Sequence, residues 1–160
     1  GWDYKGRNGS YATGKYKTGI PGIQYFSGGD KREVLGILTN KLHDMGSWLT
    51  AKDLDDLALF VVKGQFDFAK FISVETNLVR SGDSNSGAEY YNTVCAKCHG
   101  AQGDLIKDMT PIGVIAHKNP WEVMHKIING QPGEKMPSMR AFGITVVMDI
   151  MAYVQTLKNN

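Results

Sequence analysis

This sequence predicts a mainly α-helical protein, and three observations carry that reading. Apolar residues recur at three- and four-residue spacing in several segments, helix-capping residues open several of those segments, and long glycine-containing loops separate them. Two modules are expected, 1–83 and 84–160, divided at the polar run Ser81-Gly82-Asp83-Ser84-Asn85-Ser86.

Residues 1–29 are rich in Gly, Tyr and Lys without helical periodicity and read as irregular structure. Asp30, with Glu33 three residues on, has the form of a capping box opening a helix over 31–43, with Val34, Leu35, Ile37, Leu38 and Leu42 on its inner face. Thr50 caps a second helix that buries Leu54, Leu57, Ala58 and Val61 and ends near Gly64. A less regular stretch, 65–80, follows. A third helix is expected from about Gly87 into Cys95–Cys98, then a loop through Gly100, Gly103 and Pro111. Asn119 and Pro120 suit the N-cap and first position of a fourth helix, whose apolar face is Val123, Met124, Ile127 and Ile128 and which Gly130-Gln131-Pro132-Gly133 stops. The last helix spans about Thr145 to Leu157. A faint internal repeat pairs Glu33-Val34-Leu35 with Glu122-Val123-Met124, and Asp56–Val61 with Asp149–Val154. A methionine lies in the loop between each pair, Met45 in the first and Met136 in the second.

The chain has 160 residues, 42% hydrophobic and 21% charged, which is enough apolar material for a core and too much for general disorder. No apolar run is long enough for a transmembrane helix. Ile144 to Leu157 comes closest, but Asp149 and Gln155 interrupt it. The start, Gly1-Trp2-Asp3-Tyr4, has no signal-peptide pattern and no initiator methionine, and the expectation is that a leader has been removed. A net charge of +2 is too small to imply nucleic acid or an anionic membrane. Its distribution is uneven, since residues 1–32 hold six basic residues against Asp3 and Asp30. A solvated basic segment is the plainer reading of that excess and a docking patch the sharper one.

One motif carries chemistry. Cys95-Ala96-Lys97-Cys98-His99 is a C-x-x-C-H sequence, which reads as an attachment site for haem c. Thiols at i and i+3 on a helical turn face one way and can bond to two vinyl groups of one porphyrin edge. His99, next along, can then supply an axial nitrogen to iron. A thioredoxin-like pair would follow a strand, whereas a helical pattern precedes this one. A structural zinc site needs four ligands, usually two such pairs, and the chain has no other Cys. No disulfide framework is possible either.

At these residues the sequence resembles the cytochrome c family, of class I type with one haem. Gly87 and Tyr91 stand where that family has a glycine and then an aromatic residue ahead of the motif, and Gly100 follows the histidine as it does there. The resemblance implies that Pro111 offers its carbonyl to the other ring nitrogen of His99. It implies that Met136, in a Met-Pro pair, is the second axial ligand, and that the terminal helix crosses the first with Ile150 and Tyr153 packed there. The match covers about 84–160. Residues 31–64 look like the latter part of a second module, which suggests kinship with two-module c-type cytochromes, the first module being degenerate and without haem.

Met139 is the leading rival to Met136. Met109, Met124, Met148 and Met151 read as core, and His117 and His125 could coordinate only with a different loop fold. Trp121 and Arg140 could face a haem propionate. Lys97, Lys107, Lys118 and Lys135 could ring a haem edge, although a solvated surface is the plainer account of each. With His99 and Met136 both bound, iron keeps no open position, so single-electron transfer between redox partners is expected rather than catalysis. Three roles remain open: a free carrier, a haem subunit of a larger oxidoreductase, or an enzyme or gas sensor with an open axial position. No Ser–His–Asp arrangement, phosphate loop or paired carboxylates stand out. The resemblance implies a periplasmic or other extracytoplasmic location.

Overall fold

The computed structural model describes residues 1–157 and is mainly helical. Among the described residues, extended pairing is confined to isolated bridges such as Gly6–Pro21 and Ile72–Val79. The chain divides into two compact units, Gly1–Asp67 and Phe68–Asn160. The polar run at 81–86 therefore lies inside the second unit. Asp83 accepts the backbone N–H groups of Asn85 and Ser86 and starts a helix there. The same small polar residues favour linkers and helix caps alike, so composition alone cannot separate the two.

In the first unit, helices α1 (Lys31–Leu38) and α2 (Ala51–Leu59) pack against each other. Val34, Leu38, Leu54, Ala58, Val61 and Val62 form their shared core, with Phe26, Leu35, Met45 and Leu57 at its edge. Thr50 and Asp53 cap α2 reciprocally. Asp30 caps α1 by accepting the N–H of Arg32. That helix stops at Leu38, short of the expected 43. The Asn40 side chain accepts the N–H groups of Leu42 and His43 and offers the backbone a turn in place of the helix. Leu42 is consequently exposed rather than on an inner face.

In the second unit, α3 (Ser84–Tyr90) runs through a π-helical turn, Tyr91–Cys95, into the short α4 (Ala96–His99). After the loop come α5 (Ile112–Lys118), α6 (Pro120–Asn129) and α7 (Gly143–Val154). Helix α5 falls where a loop was expected; glycines and Pro111 dominate the preceding sequence and mask a segment that buries Ile112, Val114 and Ala116. Pro120 takes the first position of α6 as expected. Asn119 does not cap the backbone and instead donates to the Glu122 carboxylate at 2.6 Å.

The densest packing is between α3 and α7. A Cβ built on Gly87 would lie 1.9 Å from the backbone oxygen of Asp149 and 2.9 Å from the Tyr153 Cβ, so glycine alone allows this approach. Tyr91 is fully buried, with its ring 5.3 Å from that of Tyr153, and Ile150 is buried beside them in sequence on α7. Asp149 within α7 and Gln155 immediately after it have structural work. Asp149 accepts the N–H of Asp83 at 2.8 Å. Gln155 accepts from the N–H of Val79 and donates to the carbonyls of Asn77 and Ala116, tying the 77–79 loop to α5. No described helix is long and apolar enough to cross a membrane.

Replacing Gly87 by Ala should destabilise the second unit by about 3 kcal/mol, because the new methyl meets backbone rather than a movable side chain. A urea denaturation midpoint for the variant checks this.

Candidate functional site

Cys95, Cys98 and His99 occupy one continuous right-handed helical stretch, so both thiols and the imidazole issue from a single turn and a half. Cys95 is half-buried and Cys98 exposed, and neither is in a disulfide. Burial, and then the neighbouring Cys98 thiol, push the Cys95 thiol up to about 11, which keeps it protonated at neutral pH. Burial holds His99 below the ordinary histidine value, so its imidazole is neutral and keeps a lone pair for a metal.

The peptide after His99 is held from two sides. The Tyr91 hydroxyl donates to the Gly100 carbonyl at 2.8 Å, and the Leu105 N–H donates to the His99 carbonyl at 3.0 Å. Gly100 has φ 79° and ends the helix, a conformation suited to glycine. The His99 Nδ1 is buried without a hydrogen-bond partner. The Pro111 carbonyl, expected to accept from it, instead accepts the Ile115 N–H at 3.2 Å as the first bond of α5.

Met136 lies on a separate loop. Gly130 ends α6, the Gln131 N–H donates to the Met136 carbonyl at 3.3 Å, and Pro137 follows. The chain then returns to α6, with the Ser138 hydroxyl donating to the Ile128 carbonyl and the Met139 N–H to that of Ile127. Met139 is only 5% exposed and packs as core, whereas Met136 is half-buried. Met124 and Met151 are fully buried, Met109 and Met148 half-buried.

The other candidates fall away from ligation. His117 Nε2 contacts the Gln155 carbonyl at 2.8 Å, which ties α5 to the end of α7. His125 stacks obliquely near Phe68, with ring centroids 6.2 Å apart. Trp121 is buried packing, and Arg140 reaches the Asn129 side chain at 2.5 Å. Lys97, Lys107, Lys118 and Lys135 are all exposed. Among the described residues no group of three His, Cys, Asp or Glu side chains gathers into a metal site of the zinc kind.

The donor set suits haem c. Two thiols and a neutral imidazole share one short helical stretch, the Met136 thioether sits on the loop after α6, and the buried orphan nitrogen of His99 marks a ring whose surroundings are incomplete in protein atoms alone. Residues 82–154 match the family model described as cytochrome C oxidase, cbb3-type, subunit III. Residues 82–154 belong to the cytochrome c family. Comparison with curated proteins and with solved structures gave no match. The matched segment runs from the approach to α3 through the end of α7, so the helices of the second unit are those of a haem-binding, electron-transferring cytochrome domain. The contributions of Asp149 and Gln155 were not readable beforehand. Their only signal was a polar residue within, and another just after, a largely apolar helix.

Two outcomes follow from this geometry. Tyr91→Phe should lose about 1 kcal/mol by removing the bond to Gly100, read as a lower thermal midpoint. Burial first, then Arg140 and Lys126, hold His125 below its ordinary value of 6.5. The unfolded chain therefore binds that proton first. This increment of stability is complete above the ordinary value and is lost as pH falls below it. His125→Gln should flatten the acid side of a stability–pH profile measured by urea denaturation.

Proposed function

We propose that the chain is a monohaem c-type cytochrome that passes single electrons between redox protein partners. Haem is held covalently by Cys95 and Cys98, with His99 and Met136 as axial ligands. The observation that carries this reading is the single helical stretch bearing both thiols and His99. Met136 is favoured over Met139 because Met139 is used as core packing, which leaves the Met136 thioether free to turn inward.

Haem c, when bound, supplies one-electron chemistry at iron. The chain's residues do the rest. Tyr91 and Leu105 fix the peptide that carries His99, and the Gly87 crossing fixes the helix that carries the thiols. A sulfur and a nitrogen donor together leave no position for substrate, so the domain acts as a carrier and not as a catalyst. The matched family's description as an oxidase subunit supports a partner within a larger oxidoreductase complex. Covalent attachment of haem implies a periplasmic or other extracytoplasmic location. The first unit contains no cysteine and is a cytochrome-like module without covalent haem of its own. Its order of helix, loop, 3-10 turn and helix repeats that of α6 to α7, with Met45 opening the 3-10 turn where Met136 lies in the loop before it.

Intact-mass analysis of matured protein should give the chain plus one haem. Reduced Met136→Ala should bind carbon monoxide, while the unaltered protein and Met139→Leu should exclude it. A bare polypeptide mass overturns the attachment. Carbon monoxide binding by the unaltered protein overturns the sixth ligand.

A further inference from the structure

A surface of one charge sign lies outside the cytochrome match, in residues 6–21. Their ends are joined by the Gly6–Pro21 bridge and by the Arg7 N–H donating to the Ile20 carbonyl at 2.9 Å. Inside the loop, the Thr18 N–H donates to the carbonyl of Tyr11, and the Tyr11 side chain is buried. This is a closed Ω-type loop with an ordered interior, a form that frequently carries function.

Charge is segregated across it. No acidic residue lies between Asp3 and Asp30. Asp3 is 5% exposed and turned inward, where its carboxylate accepts the N–H groups of Lys5 and Ser10. The nearby cations beyond the loop are neutralised, Lys31 by Asp55 and Arg32 by Asp30. Arg7, Lys15 and Lys17 are exposed and, among the described residues, pair with no acidic side chain. Between and beside them stand Tyr16, 52% exposed with Lys15 over its ring, and Ile20, 72% exposed.

We propose that this loop is a docking surface for an acidic face of a partner protein. Exposed aromatic and aliphatic side chains set among cations match the anchor-and-rim composition of protein interfaces. Counting the half-buried Lys5 beside them, the cations number four, at the bottom of the range of about four to eight in lipid-binding clusters and short of the roughly six to ten phosphates that a duplex-binding protein can neutralise. That the partner is a redox protein rests on the function proposed above; the existence of the docking surface does not.

The test uses the haem-loaded full chain and a fluorescein-labelled polyglutamate peptide at low ionic strength, with phosphatidylglycerol vesicles and duplex DNA as competitors. Arg7→Glu/Lys15→Glu/Lys17→Glu should weaken peptide binding by about tenfold or more, and the matched control Lys41→Glu/Lys63→Glu/Lys118→Glu by less than about threefold. Arg7→Gln/Lys15→Gln/Lys17→Gln should fall between, which guards against a folding defect in the charge-reversed loop. Tyr16→Ser should weaken binding with every charge kept. Equal losses in the two Glu triples would overturn the proposal by showing that net charge alone governs. Tighter binding to vesicles or duplex than to the peptide would overturn it in favour of a lipid or nucleic-acid surface. Reduction by ascorbate should be unchanged in the loop variants; a protein that ascorbate cannot reduce refutes the electron-transfer reading and leaves the binding result standing.

Discussion

The close approach of α3 to α7 at Gly87 is the constraint on which the second unit depends. With no side chain at that position, backbone meets backbone, and the rings of Tyr91 and Tyr153 close the contact one turn further along. Asp149 fixes the start of α3 from the same side. A helix anchored in this way at its start and along its length presents its last turn, which carries Cys95, Cys98 and His99, in one defined direction. On the function proposed above, such preorganisation would favour electron transfer, because ligands that do not move would cost little reorganisation when iron changes charge.

Around that crossing, polar groups act as ties rather than as chemistry. Gln155 joins the 77–79 loop to α5, and His117 joins α5 to the end of α7. Tyr91 serves twice, with its ring in the core and its hydroxyl on the carbonyl of Gly100, the residue after His99. The loop bearing Met136 is held by bonds from Ser138 and Met139 to the end of α6. Met136 itself is half-buried and tied through its carbonyl to the Gln131 N–H.

The first unit uses a similar hairpin differently. Its core between α1 and α2 is complete in itself, yet it has no thiol pair, and its irregular leading segment turns its one acid inward and its cations outward. A cytochrome domain supplying the redox centre and a preceding module supplying contacts is a division of labour consistent with single-electron transfer to a specific partner. Electrostatic steering would then act through the first unit, while the hydrogen-bond ties of the second keep the ligands in place.

How much of this was legible beforehand differed by kind of interaction. The haem-attachment reading came from five consecutive residues, because both thiols and the imidazole act within one helical turn and local spacing fixes their geometry. Helix α2 was likewise plain from Thr50 and its apolar spacing, since a capping box is a contact between residues three apart. The early end of α1, the existence of α5 and the roles of Asp149 and Gln155 were not legible. Each depends on competing turns or on partners far away along the chain. The choice between Met136 and Met139 shows the same division. Met136 stood out in the sequence by the proline after it, whereas the burial of Met139 and the half-burial of Met136 depend on the return of the chain onto α6. By itself, then, the sequence determined the spacing of the two thiols and the imidazole and most of the helices, because those are short-range. Tertiary structure decided which side chains support that chemistry, because burial is a property of residues brought together from a distance.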